Sequence, residues 1–197
     1  LNRKNIHQSP NTPLSPKGRE QSITVAEYLR SVNPDLLLTS EYTRARETAG
    51  IIGQFTGLKP ETCGLFYEIE RPSSLYNASH FCFETFRYVI GSFFNRKNEK
   101  WRYKDAENFS DISNRAKRAL SFIEDLHGTH NSIVIVSHTV FINIMVAYMC
   151  ENKLLDIGDL VRTFLHIERM DNTGIVHVEF LGRTSQGVCS WNLVGGV

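Results

Sequence analysis

The chain has 197 residues, 41% of them apolar, with 22 basic and 21 acidic side chains and a net charge of +1. That length suits one domain with a sizeable core and leaves no room for a second full one. The near-neutral balance excludes the extended positive field of a nucleic-acid or membrane-surface binder, and no apolar run approaches the roughly 18 residues of a membrane-spanning helix.

Cys63, Cys82, Cys150 and Cys189 lack the short spacing of zinc or redox motifs, so free thiols in a reducing, cytoplasmic compartment are expected. His127 and His130 fall in a Gly-Thr loop and read as turn residues, so no metal site is expected.

In chain order, Ser15-Pro16 reads as a helix start, with a capping hydroxyl followed by a proline where no N–H bond is needed. The helix should run to about Arg30, with Ile23, Val25, Ala26 and Leu29 on its apolar stripe, and Asn33-Pro34 should end it. Leu36 to Leu38 is a short apolar strand, and Thr43 to about Phe55 follows as a helix stopped at Thr56-Gly57. Arg44 lies in the opening turn of that helix. A guanidinium fork beside unpaired helix N–H groups suits a phosphate or carboxylate, although a solvated helix cation looks the same in sequence. Leu58 to Cys63 reads as extended.

From Tyr76 to Tyr103 the chain is rich in aromatics, including Phe81, Phe83, Phe86, Tyr88, Phe93, Phe94 and Trp101, at mixed three- and four-residue spacing. That pattern predicts a helix packed on the core, inserted as a cap over about 76–103. Ser110 should cap the next helix, whose apolar face is Ile112, Ala116, Ala119, Leu120, Ile123 and Leu126, with Gly128 ending it. Ile133 to Val136 is a continuously apolar strand, the sign of a buried parallel sheet, and it runs through Ser137-His138 into an apolar helix over Val140 to Met149. Ligands gather where such strands give way to helices. His138 stands at that mouth, and a core histidine satisfied by a backbone carbonyl is the competing reading. Leu154 to Leu165 reads as helix, Phe164 to Arg169 and Ile175 to Phe180 as strands around Asp171–Gly174, and Trp191 to Leu193 as a closing edge. With no repeat or linker, residues 1–197 form one domain.

Thr39-Ser-Glu-Tyr-Thr-Arg-Ala-Arg-Glu-Thr-Ala49 resembles the Ser-x-x-x-Arg-Ala-x-x-Thr-Ala motif of the histidine phosphatase superfamily, the phosphoglycerate mutase-like proteins. Val136-Ser-His138 resembles that family's second-histidine motif, Thr12–Glu20 its Pro-Leu-Thr-x-x-Gly entry to the first helix, and Asp171–Gly174 a turn before its last strands. The resemblance implies an α/β fold, a three-layer α/β/α sandwich with a mostly parallel central sheet. The family's Arg-His-Gly motif, which ends the first strand and carries the phosphate-accepting histidine, is absent. His7 resembles a position in the loop after that motif and has no apolar run before it, so it is not a substitute. The natural N-terminus is therefore expected about one strand and turn upstream of Leu1, with a natural pseudoenzyme as the lesser alternative.

Leu65–Leu75 resembles the family's Leu-x-Glu segment, which implies Glu68 as proton donor to the leaving oxygen, with Glu70 as the alternative. The implied catalytic residues are Arg44, Glu68 and His138, and the implied phosphate ligands are Arg44, His138 and the N–H of Thr139, where many relatives carry glycine. The implied activity is that of a histidine acid phosphatase-like phosphomonoesterase working through a phosphohistidine. A phospholigand-binding pseudoenzyme and a phosphoglycerate mutase-type phosphotransferase are the alternatives. No cofactor or metal is required. The expected partner is a small phosphorylated substrate or a phosphoprotein, not nucleic acid or membrane, and a homodimer is left open.

Overall fold

A computed structural model of the chain describes residues 6–150, 172–182 and 191–196. Helix α1 spans Pro16–Val32, with Ser15 Oγ accepting the Gly18 N–H and Asn33 turning the chain out through a left-handed conformation at φ 53°. It runs two residues past the predicted end, because Asn tolerates that conformation better than most residues. Strand β1 is Leu36–Thr39, α2 Thr43–Thr56, and β2 the short Glu61–Thr62. Helix α3 covers Phe83–Phe94, α4 Phe109–Asp125, β3 Ile133–Val136 and α5 Thr139–Cys150. Strands β4, Val176–Phe180, and β5, Trp191–Gly196, complete the described elements.

The main sheet is parallel in the order β2-β1-β3, with Leu36 opposite Ile133 and Thr39 opposite Val136. Alternate side chains of a strand point to opposite faces, and here that alternation divides the core. Leu36, Leu38, Ile133 and Ile135 pack with Ala116, Ala119 and Leu120 of α4 and with Phe141, Ile144, Met145 and Tyr148 of α5. Leu37, Val134 and Val136 pack on the other face with Ala26, Leu29 and Ile52 of α1 and α2. These are the three layers expected from the resemblance. The β4–β5 hairpin is antiparallel and joins the first core through Trp191, whose Nε1 donates to Glu124 Oε1 at 3.3 Å.

Two expectations are corrected. The cap of α4 is Asn108, not Ser110: Asn108 accepts the Asp111 N–H while Asp111 accepts the Asn108 N–H, a reciprocal box that satisfies two helix-end donors. The aromatic helix α3 does not pack on the core. It buries Tyr88 alone, against Leu75 and Ala106 in a small separate cluster that lies between the turn at Ser73–Leu75 and Ala106. Phe180 pairs with Trp191, while the expected helix at 154–165 and strand at 164–169 lie outside the described residues.

Two glycines of α2 differ in their surroundings. A Cβ on Gly53 would meet Leu58 O at 2.5 Å, whereas one on Gly50 would meet nothing within 4 Å. Gly53→Ala is therefore expected to cost about 1–3 kcal/mol of stability, and Gly50→Ala to add about 0.5–1 kcal/mol, in denaturant titrations of the two variants.

Candidate active site

Parallel pairing of β1 and β3 places the chain beyond Thr39 next to the chain beyond Val136, and Ser40 N–H donates to Val136 O at 2.9 Å. Arg44 and His138 therefore meet at the C-terminal edge of the sheet. Arg44 Nη2 lies 3.2 Å from His138 Nδ1, and Nη1 donates to Ser9 O at 3.2 Å. Guanidinium nitrogens only donate, so Nδ1 is the acceptor and the imidazole proton sits on Nε2, which donates to Ser40 Oγ at 2.8 Å. The Tyr42 ring underlies both groups, 5.1 Å from the Arg44 guanidinium carbon and 4.9 Å from the imidazole centre.

Glu68 approaches from the loop before the 3-10 turn. It is buried, and its Oε1 accepts the N–H groups of Ile69 at 3.0 Å and Phe141 at 3.2 Å, which ties it to the first turn of α5. Glu70 is exposed and lines a different hollow with Tyr67, Arg102, Glu107 and Arg118. Thr139 is the first residue of α5, so its N–H has no intrahelical partner. The structure thus brings Arg44, His138, Thr139 and Glu68 to one helix N-terminus and leaves Glu70 outside.

His7 is placed elsewhere. Its backbone pairs with Asn77 and Ala78, its Nε2 lies 2.9 Å from Thr85 Oγ1, and its ring sits 4.3 Å from that of His80, so it is committed to the cap segment.

Two contributors, the motif serine Ser40 and Arg115, were assigned no role from the sequence. Ser40 carries the far side of His138 and also accepts the Tyr42 N–H at 3.2 Å. Arg115 of α4 is buried with Glu107 in a two-armed pair, Nε to Oε1 at 3.0 Å and Nη2 to Oε2 at 2.7 Å. Its remaining arm donates to Leu65 O and Tyr67 O, and its guanidinium lies between the Tyr67 and Phe141 rings. Arg115 therefore clamps the loop that delivers Glu68. In sequence it resembles any polar-face helix cation; the one available signal was Glu107 standing at i, i+8 across a helix start.

Burial pushes the His138 imidazole far below its ordinary value, and the charges of Arg44, Arg115 and Arg71 push the same way. His138 is neutral at pH 7 in this state. Burial also lowers Arg44, although the nearby Glu68 charge opposes the shift. His7, buried with no partner on Nδ1, is lowered to about 4 by burial and then by Arg71 and His80.

A sequence profile of the histidine phosphatase superfamily (branch 1) matches residues 1–192. The chain belongs to the histidine phosphatase superfamily. Comparison with curated proteins gives no significant match. Among solved structures, a mycobacterial glucosyl-3-phosphoglycerate phosphatase aligns over 98% of this chain and 91% of its own, with a TM-score of 0.70 at 18% identity. The alpha-ribazole phosphatase from Shigella flexneri aligns over 98% and 89%, with a TM-score of 0.70 at 18% identity. A phosphoserine phosphatase mutant from Entamoeba histolytica in complex with phosphoserine aligns over 98% and 87%, with a TM-score of 0.66 at 19% identity. At these identities the likeness concerns the fold. No helix among the described residues of this histidine phosphatase-superfamily chain is long and apolar enough to cross a membrane.

Two outcomes are expected. Unfolding frees His7 and His138 to ordinary values near 6.5, so below that pH the unfolded chain binds more protons than the folded one and stability falls with acid. Tm should drop from pH 7 to pH 5, with a shallower slope in His7→Asn and His138→Asn, whatever their stability at pH 7. Arg115→Met, which leaves Glu107 buried without its cation, should cost about 3–5 kcal/mol in denaturant titration.

Proposed function

We propose that this chain provides the phosphate-binding and proton-donating part of a phosphatase that hydrolyses phosphate monoesters through a phosphohistidine, the attacking histidine lying upstream of Leu1. The observation that carries the reading is the 3.2 Å approach of Arg44 to the buried His138 at a helix N-terminus. Two groups able to hold positive charge are costly side by side and buried, and a bound anion reverses that cost. A phosphate dianion there would accept from Arg44 and from the Thr139 N–H, and it would draw a proton onto His138.

In the reaction, the upstream imidazole nitrogen forms a bond to phosphorus as the ester P–O bond breaks. The bonding pair leaves with the oxygen, which takes a proton from Glu68 Oε2. Water then attacks phosphorus, the N–P bond breaks, and the water proton returns to Glu68. Arg44 and His138 hold the equatorial charge in both steps. Glu68 is preferred to Glu70 because it alone shares the helix N-terminus with His138. The strand edge also supports an upstream contribution. Each β3 residue is half-buried, while the central β1 is fully buried, and β3 pairs with β1 alone among the described residues. The family and the phosphatases of similar fold support a small phosphate ester or phosphorylated protein as substrate, and the free thiols of Cys63 and Cys82 support a cytoplasmic setting.

The test compares residues 1–197 with a longer protein that includes the upstream sequence, using p-nitrophenyl phosphate. Turnover and an acid-labile phosphoryl label on histidine are expected from the longer protein, and Arg44→Ala in it should lose about 10²–10³ in kcat. Robust turnover by residues 1–197 alone would overturn the upstream assignment. Phosphate binding without turnover in the longer protein would make it a pseudoenzyme, and transfer to a hydroxyl in preference to water would make it a mutase.

A further inference from the structure

Helix α3 carries an apolar stripe on the side opposite its buried Tyr88. Phe81, Phe83, Phe86 and Phe94 are 87%, 75%, 62% and 73% exposed, and Val89 and Ile90 are exposed beside them. Tyr88 holds the inner face against Leu75, Ala106 and Tyr103, and Trp101 stands close over Gly91, so the helix is anchored with its rings outward. Phe83, Phe86, Ile90 and Phe94 recur at three- and four-residue steps, which places them along one face. Together with Phe81 and Val89 they present about 700 Å² of apolar surface, more than the largest patch of a typical monomer and close to the roughly 800 Å² that each partner buries in a standard interface.

We propose that this face of α3 packs against the same face of a second copy, antiparallel about a two-fold axis near Val89. A two-fold contact requires a surface that reads alike in both directions. The stripe does so approximately: Phe83 and Phe94 are equidistant from its centre, and the distances of Phe86 and Ile90 from it differ by one residue. In the antiparallel arrangement Phe83 covers the partner's Phe94, Phe86 meets the partner's Ile90, and the two helix dipoles oppose.

Charge favours this occupant over an anionic membrane surface. Arg87 is the charged residue exposed along α3, and it lies at the margin of the stripe. Arg96 is folded back, donating to Phe93 O with its guanidinium 4.9 Å from the Phe93 ring. Lys104 is bound to Glu84 and Arg102 to Asp111. Lys97 and Lys100 are exposed just beyond the C-terminal end of α3, so these cations stand at one end of the stripe rather than along it, and the chain as a whole has a net charge of +1. The basic ends of two antiparallel helices would lie about 20 Å or more apart, beyond the roughly 8 Å Debye length, so they would not oppose the contact.

Sedimentation of residues 1–197 from nanomolar to about 100 μM should show a reversible monomer–dimer equilibrium with a micromolar dissociation constant. Phe86→Asp with Ile90→Asp alters exposed positions only, so far-UV circular dichroism should be retained while the dissociation constant rises about 100-fold or more. In a second test, a chain carrying both Phe86→Cys and Ile90→Cys should form an intermolecular disulfide on mild oxidation, well above the background of the native cysteines, and Phe94→Cys alone should not. A monomer throughout that range overturns the proposal. If that monomer co-sediments with phosphatidylserine vesicles, the face is a lipid surface instead. If it loses stability on Phe86→Asp, the face is covered by its own chain. A dimer that survives the double aspartate substitution and does not cross-link through the cysteine pair at 86 and 90 has its interface elsewhere, and overturns the proposal equally.

Discussion

Four residue pairs, Leu36 with Ile133 through Thr39 with Val136, decide where the chemistry stands. Side chains alternate along a strand, so a slip of one residue in β3 would turn Val134 toward α4 and α5 and send Ile133 and Ile135 to the α1–α2 side. The large side chains of the first core, Phe66, Phe141 and Met145, leave no equivalent space on the α1–α2 side, where Ala26 and Leu29 close the packing. Register is thus fixed by volume on both faces. With it fixed, the turns at Ser40 and Ser137 are held at the same height, and a residue from each of two helices meets across the sheet edge. The 3.2 Å Arg44–His138 contact is the last link of that chain from strand pairing to site.

The third participant is positioned by a different device. Glu68 lies on a loop, and loops hold geometry only when something pins them. Here the pin is an arginine from α4 with every arm used: two on Glu107 and one on the carbonyls of Leu65 and Tyr67, with an aromatic ring on either face. Glu107 in turn accepts the Tyr67 hydroxyl and the Glu70 N–H, so the carboxylate is shared between the clamp and the loop it clamps. Ser137 Oγ donates to Phe66 O from the other side, joining the same loop to the turn that carries His138. Burying such a pair gains little stability over well-packed apolar residues. What it supplies here is a fixed distance between an acidic loop and a basic helix start, which apolar packing would hold less specifically.

The layers of this fold were legible because they depend on short-range pattern. Apolar runs at 36–38 and 133–136, Ser15-Pro16 and Gly57 are local signals, and each element formed where its own residues placed it. Arg44, Glu68 and His138 were candidates through motif resemblance alone, and their mutual approach required the sheet pairing. The roles of Ser40, though it is the motif serine, and of Arg115 were not legible, since Ser40 meets His138 across 98 residues of chain and Arg115 meets Tyr67 across 48. The aromatic stretch at 81–94 misled for a related reason. Periodicity shows that a helix has an apolar face, but not that the fold provides anything to cover it. The capping error at Ser110 is smaller and local: two cap-forming residues stand two apart, and the reciprocal partner Asp111 lies at the right distance from Asn108 alone.

The site costs stability by design of its electrostatics. An imidazole buried beside a guanidinium cannot hold its own proton, and a buried guanidinium itself prefers water. A core built only for stability would place apolar side chains at 44 and 138, as it does at the neighbouring Ala45 and Phe141. Instead the polar groups are satisfied one by one with neutral partners: Ser9 O and Nδ1 for Arg44, and Ser40 for Nε2. Neutral partners satisfy hydrogen bonds without cancelling charge, so the site stays preorganised and stays electropositive. An internal carboxylate in their place would have stabilised the resting protein and competed with the anion. Glu68 is the near exception, and its Oε1 is held by N–H groups of Ile69 and Phe141 rather than by Arg44. The backbone of α5 thus keeps the Glu68 carboxylate at the helix start and bonded to something other than the Arg44 cation.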